Sequence, residues 1–91
     1  MDFEWNEAKN EANLAKHGIS FRGASRIFDG PTLTFEDDRR DYGETRMVAI
    51  GLLQDREIQV VYTMRGQMCR IISARRARRD ERRTYSQVFQ G

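Results

Sequence analysis

The stretch that decides the fold is Arg46-Met-Val-Ala-Ile-Gly-Leu-Leu-Gln-Asp-Arg-Glu-Ile-Gln-Val-Val-Tyr-Thr-Met-Arg-Gly-Gln-Met-Cys-Arg-Ile-Ile-Ser-Ala74. It divides into apolar runs separated by short polar turns. Arg46 to Leu53 is apolar almost throughout, the pattern of a mostly buried strand. Gln54-Asp55 is a tight hairpin turn. Glu57 to Met64 then alternates, with Ile58, Val60 and Tyr62 on one face and Gln59, Val61 and Thr63 on the other. Arg65-Gly66-Gln67 turns the chain again, and Met68 to Ala74 is another strand. Strands joined by turns this short pair antiparallel.

Outward from this stretch the pattern changes. Leu33-Thr34-Phe35 is a short strand running into a polar loop over 36–44, and Asp29-Gly30-Pro31 stops whatever precedes it. Phe21, Ala24, Ile27 and Phe28 recur at helical spacing, which predicts a short helix over 21–28 with Ser20 as its N-cap. A helix from Glu7 to Lys16 comes before it, capped by Asn6 and ended by Gly18. Ala8, Ala12 and Ala15 share one face of it, with Leu14 beside them. Phe3-Glu4-Trp5 alternates as a short edge strand. Beyond the meander, Ala77 to Phe89 is helical, with Glu81, Tyr85, Val88 and Phe89 on one face. The reading is α+β: an antiparallel meander sheet of about four strands, two N-terminal helices and one C-terminal helix, in a single domain over 1–91. The helices are expected to cover one sheet face, which leaves the other polar or open to a ligand.

Composition narrows the functions. The net charge of +2 hides an asymmetry: residues 1–45 carry six Lys and Arg against ten Asp and Glu, and residues 46–91 carry ten Arg against four Asp and Glu. The basic half contains no lysine. Arginine's planar fork of donors matches phosphate, so this half reads either as a phosphate-contacting surface or as a solvated arginine-rich face. No apolar run approaches the ~20 residues of a membrane span. The acidic opening Met1-Asp2-Phe3-Glu4 does not fit a signal peptide, so a cytoplasmic setting is expected. One cysteine, Cys69, allows neither an internal disulfide framework nor a multi-cysteine zinc site.

Arg75, Arg76, Arg78, Arg79, Arg82 and Arg83 crowd into nine residues, their charge offset only by Asp80 and Glu81. On a helix, Arg79 and Arg82 or Arg83 share a face, with Arg75 just ahead of it. The other reading is a solvated face with pairs such as Arg78–Glu81. Arg65 closes one strand, and antiparallel pairing brings it near Arg70. His17 is the single histidine, which suits it to proton transfer near neutral pH. At a helix C-terminus it and Lys16 equally favour the dipole. Tyr85 reads as core packing or as a base-stacking ring, and Trp5 as an anchor or a stacking platform. Glu57 reads as an edge carboxylate or a base, Cys69 as a small core residue, and Glu36 to Asp41 as a solvated loop rather than a magnesium site. Phosphate loops, paired histidines and nucleophile elbows are absent from the sequence.

Longer segments carry a family likeness. Phe3-Glu4-Trp5-Asn6-Glu7-Ala8-Lys9-Asn10, Asn13-Leu14-Ala15-Lys16-His17-Gly18-Ile19-Ser20-Phe21, Ile72-Ser73-Ala74-Arg75-Arg76-Ala77 and Glu81-Arg82-Arg83 with Tyr85 together resemble the BrnT family of bacterial toxins. The resemblance runs from Phe3 to Tyr85. Asn6 departs from a frequent Asp, and both residues cap helices. The resemblance implies a RelE-like fold and ribonuclease activity against RNA in a type II toxin–antitoxin system, with inhibition of translation. It also implies a partner antitoxin of the BrnA kind with a ribbon-helix-helix part, in a 2:2 complex that meets DNA only through the antitoxin.

Metal-free RNA cleavage needs an aligned 2′-OH, a proton-transfer group and donors for the charge of the transition state. The expected catalytic residues are Arg65, Arg75, Arg79 and His17. The expected RNA contacts are Lys16, Arg70, Arg76, Arg82, Arg83 and Tyr85. No metal, cofactor or membrane is expected. The competing class of function is a basic module that binds nucleic acid or a protein partner and cleaves nothing.

Overall fold

A computed structural model describes residues 1–39, 41 and 43–89. Arg40 and Tyr42 of the expected 36–44 loop lie outside the described residues, as do Gln90 and Gly91. The chain runs β1 (Asp2–Glu4), α1 (Glu7–His17), α2 (Phe21–Ser25), a 3-10 turn (Arg26–Asp29), β2 (Leu33–Asp37), β3 (Arg46–Leu53), β4 (Arg56–Arg65), β5 (Met68–Arg76) and α3 (Arg79–Phe89).

The local chemistry accounts for the element ends. The Asn6 side chain accepts from the Lys9 amide at 3.0 Å, and Ser20 accepts from Gly23 at 3.0 Å, so both helix starts are capped as their residue types require. Gly18 takes φ 72° after α1, and its amide donates to the Leu14 carbonyl. Gln54 and Asp55 both have positive φ, the geometry of a two-residue hairpin turn that matches strand twist. The helix expected over 21–28 tightens after Ser25 into the 3-10 turn, where Ile27 packs against β3. Gly51 makes that approach possible, since a Cβ there would lie 2.9 Å from the Ile27 Cβ.

The sheet has five strands in the order β1-β5-β4-β3-β2. β2 to β5 form the antiparallel meander, and β1 adds a strand parallel to β5, which makes the sheet mixed. A parallel neighbour needs a long crossover, and everything from α1 to β4 supplies it.

The helices do not share one face, contrary to the expectation. Ala49 joins Ile19, Phe21, Ala24, Ile27, Ile58, Val60 and Ile71 in the larger core. Its neighbour Ile50 joins Tyr85 and Ala77, with Leu33 and Leu52 packed on them. Adjacent strand residues point to opposite faces, so α1 and α2 serve one face and α3 covers one end of the other. The apolar face of α3 was too short to fix which side it took.

α1 also turns differently from its alanine pattern. Ala8, Ala12 and Ala15 are exposed, and Asn13 is the buried residue. β1 pairs only with residues 68–70, which leaves the later part of β5 as an open edge. Asn13 closes it: its amide donates to the Ala74 carbonyl at 2.9 Å and accepts from the Ala74 amide at 3.2 Å. A strand edge needs polar partners, so a polar side chain faces inward here.

Candidate nucleic-acid interface

Between Val61 and Tyr62 the β4–β5 register slips. Val61 pairs with Ser73 and Tyr62 with Ile71, so Ile72 is an extra residue in β5. Residues five apart in a regular strand face opposite ways. The bulge corrects this for Arg70 and Arg75: register places Arg70 opposite Thr63 and Arg75 opposite Gln59, both on the face away from α1 and α2. Arg65 and Arg46 share that face through their pairings with Met68 and Asp37. Four arginines from three strands thus line the sheet face that α3 only partly covers.

A groove of 300 Å³ opens at the α3 end of this face. Phe35, Val48, Gln59, Arg75, Arg78 and Glu81 are among the residues that line it. Glu81 is its hub. It takes Arg75 through two bonds of 2.9 and 3.0 Å, accepts from Gln59 at 3.0 Å, and accepts from the Arg78 amide at 2.7 Å, as an N-terminal capping glutamate does. Burial pushes the Glu81 carboxyl up. The hydrogen bonds from Arg75 and the Arg78 amide, with the charges of both arginines, outweigh burial and hold it below its usual value. Arg75 also donates to the Arg76 carbonyl at 2.9 Å. Three of the five guanidinium donors are so engaged, which leaves a fixed fork with two to offer.

The other expected residues scatter around this groove. Arg65 is exposed, with its guanidinium 3.8 Å from Glu44. Arg70 pairs with Glu4 at 3.4 Å. Arg79 and Arg83 are exposed on α3, and Arg82 donates to the Ala77 carbonyl. Arg78, rather than Arg79, stands beside Arg75 in the groove. Tyr85 is 1% exposed, and its hydroxyl donates to the Pro31 carbonyl at 2.9 Å. Its ring is a core element and is not presented to a base. The sign of this was its helical face shared with Val88 and Phe89.

His17 and Arg76 lie elsewhere. Arg76 pairs opposite Ile58 on the α1 side of the sheet, and lines a 480 Å³ pocket with His17, Arg56, Gln54 and Leu53. Lys16 lines a shallower groove with His17, Ile72 and Ser73. The structure therefore does not bring His17 together with Arg75: neighbours on β5, Arg75 and Arg76, serve opposite faces.

The remaining residues have structural places. Cys69 is fully buried, and burial pushes its thiol up to about 11. Burial likewise raises the Tyr62 hydroxyl. Trp5 packs edge-on to Phe21 and donates to Glu7 at 3.2 Å. Glu57 is half-buried at the start of β4, and its carbonyl accepts from the Ala77 amide. Asp37, expected in a solvated loop, is buried at the end of β2 and holds Arg39 through bonds of 2.8 and 3.0 Å. Arg40, also in that acidic stretch, lies outside the described residues. Among the described residues no group of three or more His, Cys, Asp or Glu is placed to hold a metal ion.

Sequence reasoning missed the hub role of Glu81 and the placing of Gln59 and Arg46. The one signal for Glu81 was a carboxylate in the first turn of the expected helix, where the dipole favours it. Gln59 carried none.

Comparison with known proteins adds an independent line. The family model described as "Ribonuclease toxin, BrnT, of type II toxin-antitoxin system" matches residues 5–81. The crystal structure of the Brucella abortus ribonuclease toxin BrnT superposes with a TM-score of 0.70 at 29% identity, covering 87% of this chain and 99% of that one. A search of curated proteins finds no significant match.

Proposed function

This chain belongs to the BrnT family, the ribonuclease toxins of type II toxin–antitoxin systems, and we propose that it cleaves RNA without metal on the open sheet face and so inhibits translation. The observation that carries this reading is the gathering of Arg46, Arg65, Arg70 and Arg75 on one sheet face, the last two brought to the same side by the β5 bulge. Single-stranded RNA lies across that face, with Arg65 and Arg70 meeting phosphates at one end. Arg75, held rigid by Glu81, and Arg78 beside it donate to the charge that develops on the phosphoryl oxygens, and Arg79 joins them from the exposed start of α3. A donor fixed before reaction needs no reorganisation during it. Arg82 and Arg83 extend the positive field along α3. The fold is of the RelE-like kind, with α1 and α2 behind the sheet and substrate in front of it beside α3.

A cognate antitoxin with a ribbon-helix-helix part covers the same surface in a 2:2 complex and supplies any contact with DNA. The toxin works in the cytoplasm. No described helix is long and apolar enough to cross a membrane. His17, at the edge behind the sheet, contributes less to cleavage than the arginines.

The test is cleavage of a defined RNA by the purified protein in EDTA. Cleavage should persist, and Arg75→Ala and Arg79→Ala should each lower its rate about 10²–10³-fold, the loss typical of one such donor. A thermal melt of Arg75→Ala separates lost chemistry from the freed Glu81 carboxylate. Activity that disappears in EDTA and returns with Mg²⁺ rejects the metal-free reading. RNA binding without any cleavage points to the binding-module alternative.

A further inference from the structure

The 480 Å³ pocket on the α1 side of the sheet is within the usual range of small-ligand sites, roughly 300–1,000 Å³. Its floor is apolar: Ile19 and Ile58 are buried core residues, and Leu53 packs against them. Its rim is cationic. Arg76 pairs opposite Ile58, and Arg56 is two residues from Ile58 on the same face, so the two guanidinium groups come from diagonal positions on neighbouring strands. His17 reaches the pocket from the last turn of α1, and Gln54 from the β3–β4 turn. Among the described residues Arg56 and Arg76 form no side-chain hydrogen bond or ion pair, and neither does His17. Asp55 and Glu57 flank Arg56 in sequence, and neither lines the pocket; Glu57 pairs opposite Leu52 and so faces the other way. Two arginines lining one pocket, with no acid among its lining residues, make it attractive to an anion.

We propose that this pocket is a nucleoside monophosphate site, with the phosphate between Arg56 and Arg76 beside His17 and the base over Leu53 and Ile58. Bidentate donors suit the phosphate, and the apolar floor suits the flat face of a base. The nucleotide is either free or the phosphorylated end of an RNA strand; the chemistry is the same. The site rests on the ribonuclease reading only for that second source. It lies on the opposite face from the arginines assigned to cleavage, so it would hold an RNA end away from the reacting bond.

Because His17 is the only histidine, its ring C–H resonances report on the pocket without ambiguity. Adenosine 5′-monophosphate titrated into the intact protein should shift those resonances saturably. Adenosine alone and inorganic phosphate alone should bind at least about tenfold more weakly. Arg56→Ala and Arg76→Ala should each weaken the nucleotide about tenfold or more, as the loss of a charge-assisted pair does. Lys9→Ala, which removes one positive charge from the exposed side of α1, should change nothing. Both arginines are exposed and without side-chain partners among the described residues, so the variants should melt as the parent does. A 5′-phosphorylated oligodeoxynucleotide, which has no 2′-OH to cleave, should displace the nucleotide if RNA ends are the source. The proposal is overturned by the absence of a saturable shift, by inorganic phosphate matching the nucleotide, or by a shift that survives both arginine variants. None of these outcomes depends on whether the protein cleaves RNA, so the two readings fail separately.

Discussion

At the scale of single residues, Glu81 shows how one carboxylate organises a site. It caps its own helix, fixes Arg75 and holds Gln59. Its folded carboxyl lies below the usual value, so the network stabilises the protein above the ordinary glutamate range, near pH 4.3. That stability is lost as pH falls from there through the depressed folded value. Glu81→Gln should therefore lower the melting temperature at pH 7, and the gap from the parent should narrow steadily as pH falls below the ordinary glutamate range. A pH-independent gap would mean that packing, and not charge, is what Glu81 contributes.

At the scale of elements, the β5 edge is the place where two segments distant in sequence depend on one side chain. Asn13 bonds the Ala74 backbone twice and also donates to the Ile19 carbonyl at 2.9 Å. Asn13→Ala strips partners from buried backbone groups of β5 and from the loop after α1. The expected loss is about 2–4 kcal/mol, from several hydrogen bonds of ~1 kcal/mol and the desolvation of what they leave behind. Urea unfolding checks this. A loss below ~1 kcal/mol would show that water replaces the amide at that edge. The alanine face of α1 could not reveal this, because periodicity marks apolar stripes and Asn13 is polar. The caps at Asn6, Ser20 and Gly18 were readable because each acts within three or four residues of its own position.

At the scale of the whole molecule, the charge split of the sequence becomes a surface. The ten arginines of the second half serve both sheet faces and α3. Field lines from the open face and α3 should steer RNA and an acidic antitoxin segment to the same place. Arg79→Glu with Arg83→Glu should then weaken antitoxin binding by well over the ~0–1 kcal/mol of an exposed ion pair, and more strongly at low salt. Calorimetric titration at low ionic strength is the measurement. Unchanged affinity would move the antitoxin to the acidic half, around Glu7 and Glu11.

The sequence by itself determined the α+β class, the β2–β5 meander, the caps of the first two helices and the likeness to a ribonuclease toxin family, because turns, caps and strand alternation are short-range and survive without tertiary context. It held every arginine of the site but not their sides. An unbulged β5 would send Arg70 and Arg75 to opposite faces. The extra residue at Ile72, a product of how β4 and β5 settle against each other, puts them together and sends Arg76 to His17. The side taken by α3 was equally a matter of packing, decided by where Tyr85 found Ile50 and the Pro31 carbonyl. Such choices depend on contacts between segments dozens of residues apart, and no local pattern encodes them.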